Sequence, residues 1–329
     1  MRMNDSQAPA IFDVVVVGGG AAGLSGALTL ARARRSVLVI DAGEPRNAPA
    51  AGVHGFLTRD GMAPAELLNA GRAEVRGYGG IVRSGQVTSA ARGDDGFVVT
   101  LDDASSVRAR RLLVATGLTD ELPDIPGIRE HWGHDVLHCP YCHGWEVRDQ
   151  AIGILGTGPM ATHGALLVRQ WSSDVILFQH TSPPLTEEQA EQLEARGIIV
   201  VAGEVVGLET RDDRLAGVRL RSGEVIPRRA VVVTPQMASN AKILAALGLG
   251  PTELEMAGHV LGTFVALETT GATAVEGVWV AGNVTDPIAQ VVTAAGAGMW
   301  AGAQINADLI AEETRRAVAA FRARSLATR

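Results

Sequence analysis

Two stretches of the chain repeat one order of positions: a β-branched apolar run, a glycine-rich turn, an Ala/Leu-rich segment with helical spacing, and a second apolar run. The first copy reads Phe12-Asp13-Val14-Val15-Val16-Val17, then Gly18-Gly19-Gly20-Ala21-Ala22-Gly23, a helix through about Arg35, and Ser36-Val37-Leu38-Val39-Ile40-Asp41. The second reads Ala151-Ile152-Gly153-Ile154-Leu155, then Gly156-Thr157-Gly158-Pro159-Met160-Ala161, a helix through about Trp171, and Asp174-Val175-Ile176-Leu177-Phe178. Continuous apolar strands of this kind are buried on both faces, as in parallel sheets covered by helices. The pattern predicts an α/β chain of two doubly wound, Rossmann-like domains.

The turn-rich Pro123-Asp124-Ile125-Pro126-Gly127 follows the strand Arg111-Leu112-Leu113-Val114-Ala115 and marks a hinge. A second hinge is expected between Asn240 and Gly250, after which come the strand Gly277-Val278-Trp279-Val280-Ala281, then Gly282-Asn283 and a long Ala/Gly-rich helix. Residues 1–121 and 246–329 are therefore expected to form one domain into which 122–245 is inserted. Residues 1–10 and the Arg-rich end after Arg322 are expected to fray.

Composition narrows the class. At 329 residues the chain has room for about two domains, and 47% apolar residues with 20% charged exclude disorder. A net charge of −7, with Arg interspersed among Asp and Glu, argues against nucleic acid as a partner. The first apolar run is far shorter than the roughly 20 residues a spanning helix needs. The start lacks the small-residue cleavage site of a secretory signal, so no membrane anchor and a cytoplasmic location are expected.

Gly18-x-Gly20-x-x-Gly23 between strand and helix, with Asp41 ending the next strand, has the parts of a dinucleotide site. The glycines allow the turn, the approach of a pyrophosphate and close helix packing, and Asp41 accepts ribose hydroxyls. These residues alone do not separate FAD from NAD. The two cysteines, Cys139 and Cys142, lie in Cys-Pro-Tyr-Cys-His. Read literally, this string also fits c-type haem attachment, which needs export and an axial partner. With His131, His134, His138 and His143 it also fits zinc, although structural zinc normally ties two separated knuckles. A redox pair is favoured: a disulfide closes easily across two residues, and a neighbouring His stabilises a thiolate and ferries its proton.

Taken together, Leu112-Leu113-Val114-Ala115-Thr116-Gly117, Gly282-Asn283, and a Cys-x-x-Cys between the hinge and the second glycine turn resemble the low-molecular-weight thioredoxin reductase family over nearly the full length. The resemblance implies FAD, held by Gly18, Gly20, Ala21, Ala22, Gly23 and Asp41, by Ala115, Thr116 and Gly117, and by Gly282, Asn283, Gln290 and Val291. Asn283 replaces the usual Asp. It implies that Cys142 faces the flavin and Cys139 exchanges with substrate, with His143 where an acidic residue is usual, and that the protein is a homodimer.

Cys139 to Glu146, with Pro45-Arg46-Asn47 and His54-Gly55-Phe56-Leu57, resembles more closely the branch that oxidises natural-product dithiols such as those of gliotoxin, holomycin and romidepsin. That resemblance adds Asn47 and His54 to the cofactor contacts. The segment after Phe178 offers His180 as its sole candidate cation in place of the family's Arg cluster for the 2′-phosphate. NADPH is therefore doubtful, while NADH stays open because its ribose lacks the phosphate.

The expected function is oxidation of a small-molecule dithiol with oxygen as acceptor, with His143 as acid and base. An NAD(P)H-dependent thioredoxin reductase and a non-catalytic flavin redox sensor are the alternatives. Tyr141 and Trp145 either line the substrate cleft or pack the domain interface.

Overall fold

In a computed structural model, which describes residues 11–256, 258–267 and 271–327, the first unit is built on a parallel sheet. Its strands run in the order Ile81–Ser84, Val37–Asp41, Phe12–Val17, Ser106–Val114 and Val278–Val280. The early half of Ser106–Val114 also pairs antiparallel with Gly96–Leu101, which in turn pairs with Val87–Gly93. Both faces of the sheet are covered, as the unbroken valine run requires. Val15 and Val17 bury with Leu38, Ile40, Leu112 and Val280, whereas Val14 and Val16 bury against Leu24, Leu30, Ile305 and Leu309 of the flanking helices.

Those helices are Ala21–Arg32 and the C-terminal Val291–Ala327. They meet backbone to backbone: a Cβ on Gly298 would stand 1.9 Å from the Ala22 carbonyl oxygen, and one on Gly302 would stand 2.7 Å from that of Gly26. Arginines fasten the contact. Arg35 meets Glu313 at 2.6 Å, and Arg111 meets Asp308 at 2.5 Å and Glu312 at 2.7 Å. The helix continues through residues 322–327, which were expected to fray, while residues 1–10 lie outside the described set. Among the described residues no helix is long and apolar enough to cross a membrane.

The inserted unit holds a second parallel sheet, in the order Ile199–Val201, Val175–Phe178, Ile152–Leu155, Ala230–Val232 and Val136–Leu137. An antiparallel meander, Val205–Arg211, Arg214–Leu220 and Val225–Ile226, packs beside it. Buried Asp135 ties the two, accepting the Leu215 N–H at 2.8 Å and pairing with Arg214 at 2.8 Å. The chain leaves the first unit along Leu118–Glu121 and returns along Gln236–Ser239, and these two crossings pair antiparallel. Ala241, Ile243 and Leu244 already bury in the core of the first unit. We therefore place the return crossing at this strand pair, a few residues before the boundary at 245 drawn from turn composition.

Candidate functional site

Cys139 caps a one-turn helix, Pro140–His143, with proline in the first turn where its missing N–H costs nothing. The Cys139 carbonyl accepts the N–H groups of Cys142 and His143, each at 3.1 Å. This turn brings the two sulfurs to 2.6 Å from one another, as free thiols. Gly144 follows because a Cβ there would meet the Pro140 oxygen at 2.5 Å and the Trp171 ring at 2.9 Å. The thiols titrate as a pair. The hydrogen bond from Cys142, with backbone N–H groups of Cys142 and Tyr141 and the charge of Arg46, lowers Cys139 to about 7. The same shared proton, burial and the Cys139 charge push Cys142 up.

His143 is half-buried, and its Nε2 has no hydrogen-bond partner. Burial lowers its pKa, Glu146 opposes that, and His54 adds to it. The His54 ring stands edge-on to it, with centroids 6.4 Å apart. Two of the other histidines near the pair are engaged in structure: His131 Nε2 bonds Thr210 Oγ1 at 2.8 Å, and His138 Nδ1 lies 3.2 Å from the Val233 carbonyl. Among the described residues no group of three or more His, Cys, Asp or Glu is placed to hold a metal ion. Tyr141 is 64% exposed, edge-on to Trp171, and Trp145 is 65% exposed with Arg148 stacked on it at 4.0 Å. Both rings face solvent beside the redox pair instead of packing an interface between units.

The first glycine turn fits a dinucleotide. A Cβ on Gly18, whose φ is +105°, would meet the Ala115 carbonyl oxygen at 2.4 Å, and one on Gly23 would fall 1.9 Å from the Gly18 oxygen. Gly20 caps the helix Ala21–Arg32 without a side-chain bond, and no acidic residue occupies its first turn. The free N–H groups and positive helix end around Ala21 and Ala22 suit the FAD diphosphate. Asp41 Oδ1 accepts the Gly19 N–H at 3.2 Å, while Oδ2 pairs with Arg72 at 2.7 Å.

Two further segments expected to touch the cofactor meet this turn, residues 115–117 at Gly18 and Gly282 at Ala22. Thr116 Oγ1 donates to the Asn240 carbonyl at 2.8 Å, and the Asn240 N–H donates to Gly117 at 3.0 Å, so the Ala115-Thr116-Gly117 turn is clamped to the return crossing. A Cβ on Gly282 would meet that of Ala22 at 2.8 Å. The Asn283 amide donates to the carbonyls of Asp286, Pro287 and Ala289 at 3.0, 3.4 and 2.9 Å. A carboxylate cannot donate those bonds, which accounts for asparagine here, and its Oδ1 takes no part in them. Gln290 and Val291 open the last helix, with Gln290 Oε1 against Gly55, beside His54. Asn47 is half-buried in the loop between, its carbonyl accepting the Ala50 N–H at 3.0 Å.

Its neighbour Arg46, like Glu146, belongs to the strings that carry the resemblance, but the sequence assigns it no role. It grips Asp120 through two bonds of 2.7 Å and donates to the Pro287 carbonyl at 3.2 Å, binding the loop, the outgoing crossing and the segment before the last helix. Arg72 and Glu146 were missed as well, for no local spacing points to their partners.

The second glycine turn opens on a cleft of about 890 Å³ lined by Thr157, Gly158, Met160, His180 and Glu204, with Glu121 and Asp124 at the same wall. Its lining includes three carboxylates and neither Lys nor Arg. His180 Nδ1 accepts the Val205 N–H at 3.1 Å, and burial lowers its pKa against the pull of Glu204. His180 is therefore held as a neutral acceptor. These residues do not fit a 2′-phosphate, which needs Arg or Lys.

Comparison with known proteins agrees with this architecture. Residues 12–298 match the family of pyridine nucleotide-disulphide oxidoreductases. The chain is 31% identical to thioredoxin reductase sirT of Leptosphaeria maculans over 315 residues, 91% of this chain and 94% of that one. The crystal structure of HlmI, 48% identical, superimposes with a TM-score of 0.88 over 96% of this chain and 98% of its own. An oxidoreductase from Agrobacterium tumefaciens, 35% identical, gives 0.84 over 91% and 98%. With its cradle for FAD and its paired thiols, the chain belongs to the pyridine nucleotide-disulphide oxidoreductase family as a flavoprotein of the thioredoxin reductase kind.

Proposed function

We propose that this protein oxidises a small-molecule dithiol to its disulfide, with oxygen as the final electron acceptor and hydrogen peroxide as the second product. One observation carries the reading: the cleft where a nicotinamide reductant would dock has three carboxylates and no phosphate-binding cation, whereas the redox pair is intact and flanked by exposed aromatic rings. The sum is one dithiol and one oxygen giving one disulfide and one hydrogen peroxide.

With the pair oxidised, a substrate thiolate attacks Cys139 Sγ, and the electron pair of the broken bond leaves on Cys142. The second substrate thiolate attacks the sulfur bonded to Cys139, closing the product disulfide and freeing the Cys139 thiolate. In the dithiol the shared proton, burial and the charge of Cys139 all raise Cys142, and the first and last of these come from Cys139 itself. In the mixed disulfide Cys139 carries neither, so Cys142 becomes a better leaving group. His143, neutral near pH 7 because burial lowers its pKa, accepts the proton of the attacking thiol. FAD, held at the turn of Gly18, Gly20 and Gly23, would supply the two-electron acceptor for the Cys139–Cys142 dithiol and the route of those electrons to oxygen. Two copies of the chain form the working unit in this reading, supported by exposed Met299, Trp300 and Ile310 on the last helix. Light scattering that returns a monomer mass removes that part alone.

The name carried by sirT favours a second reading, an NAD(P)H-dependent disulfide reductase. One experiment separates the two: anaerobic holoprotein is mixed with dithiothreitol, NADH or NADPH, and air is then admitted. Bleaching by the dithiol and peroxide on aeration support the oxidase, and rapid bleaching by either nicotinamide with transfer to thioredoxin rejects it. Cys142→Ser should keep its flavin and lose turnover by at least about a thousandfold, since the relay needs both sulfurs.

A further inference from the structure

We propose that Glu146 and His54 form the proton outlet of His143, carrying the thiol proton from the buried redox pair to solvent. This rests on the oxidase reading, in which His143 receives that proton. His143 Nε2 is buried and unbonded, so a proton it accepts has no direct route to water at that atom. The next ring is His54, edge-on at 6.4 Å. His54 stands between two carboxylates, its Nδ1 3.5 Å from Asp60 Oδ1 and its Nε2 3.5 Å from Glu146 Oε1. Glu146 and Asp60 are exposed, while His54 is mostly covered, so the chain of groups runs from inside to outside.

A cavity of about 420 Å³ is lined by His143, His54 and Glu146 together and gives water room to bridge the gaps that direct bonds do not close. From the inserted unit, Glu130, His134 and Asp213 line the same cavity. His131, Asp135 and Arg214 also reach it, but they are paired with one another, His131 to Asp135 at 3.5 Å and Asp135 to Arg214 at 2.8 Å. The outlet spans the two units: His54 and Asp60 come from the first, and Glu146 and His143 from the inserted one. No bond is made or broken in the transfer beyond those to hydrogen. His143 takes one proton from sulfur and returns to neutral by passing one to the His54–Glu146 pair, which exchanges it with water.

The test is the anaerobic bleaching rate of holoprotein by dithiothreitol as a function of pH, for the unmodified protein, Glu146→Gln, His54→Gln and Glu146→Asp. As base, His143 loses activity when pH falls below its pKa. Glu146 raises that pKa and His54 lowers it. The acid limb should therefore move to lower pH in Glu146→Gln and to higher pH in His54→Gln, with plateau rates about tenfold lower in both, a modest part of a general base's worth. Glu146→Asp, which keeps the charge, should hold the original limb. If one variant fails to retain flavin, the other two profiles still decide. Profiles that superimpose on the unmodified protein overturn the outlet and leave the oxidase reading standing. Unmodified flavin that dithiothreitol does not bleach overturns both.

Discussion

The two glycine turns have the same spacing but differ in what surrounds them. At the first, Gly23 lets the helix sit against its own turn, Asp41 is oriented by Gly19 and Arg72, and the Asn283 loop closes the far side. At the second, Ala161 stands where Gly23 stands, the helix Ala161–Val168 runs only eight residues, and His180 in the cleft wall is a neutral acceptor. The fingerprint alone thus fixes a backbone shape. The charges and donors that arrive from distant segments decide whether a phosphate can stay.

The sharpest break of this comparison is a matched pair of substitutions. Gly23→Val places side-chain atoms onto the Gly18 carbonyl, so the purified protein should lose nearly all bound flavin. Ala161→Val alters only the second turn and should remain yellow, at a cost of about 1–3 kcal/mol for overpacking. Flavin absorbance per chain reads both, and equal loss in the two would mean the turns are not functionally distinct.

A second test uses the cleft chemistry. NADPH should bleach the flavin no faster than NADH, because its extra 2′-phosphate meets neither Lys nor Arg in the cleft lining, and in the oxidase reading both should be slower than the dithiol. A clear advantage for NADPH would show that a cation reaches the cleft from elsewhere.

The paired thiols supply a third. In reduced protein the alkylation rate of Cys139 by iodoacetamide should rise with pH through about 7, because its lowered pKa makes the thiolate dominant above that value. Cys142 should stay unmodified over the same range. Peptide mapping of the alkylated site checks the assignment, and the reverse order of labelling would exchange the roles of the two sulfurs.

The smallest effect expected is for Asn283→Asp, which replaces two N–H groups shared among three carbonyls with a carboxylate facing them. Destabilisation of about 1–3 kcal/mol is expected from the unsatisfied groups, seen as a lower melting temperature and weaker FAD retention. An unchanged protein would mean that the loop is held by Arg46 alone.

Much of this was legible in the sequence because its signals are local. The valine run required two covered faces, and Val14 to Val17 bury alternately on both. Cys-x-x-Cys lets two sulfurs meet across two residues, and Cys139 and Cys142 stand side by side at 2.6 Å. What stayed hidden depends on separate loops meeting: Arg46 with Asp120, Arg72 with Asp41, and Glu146 with His54. The hinge expected between Asn240 and Gly250 rests on local turn composition, whereas the crossing that we place at the pairing of Gln236 with Glu121 joins distant segments.

The last strand and last helix of the first unit also bear on the order in which the molecule is made. Every strand of the parallel sheet in the inserted unit lies between residues 136 and 232, so that sheet can close while the ribosome is still extending the chain. The first unit cannot: Val278–Val280 completes its sheet, and Gly298 and Gly302 must reach Ala22 and Gly26 before the helix behind the glycine turn is backed. The glycine turn, made early, thus waits for a helix made after the whole inserted unit, and flavin capture follows the synthesis of Val291–Ala327. A ribosome-stalled chain ending before residue 278 should resist protease across the inserted unit while taking up no flavin.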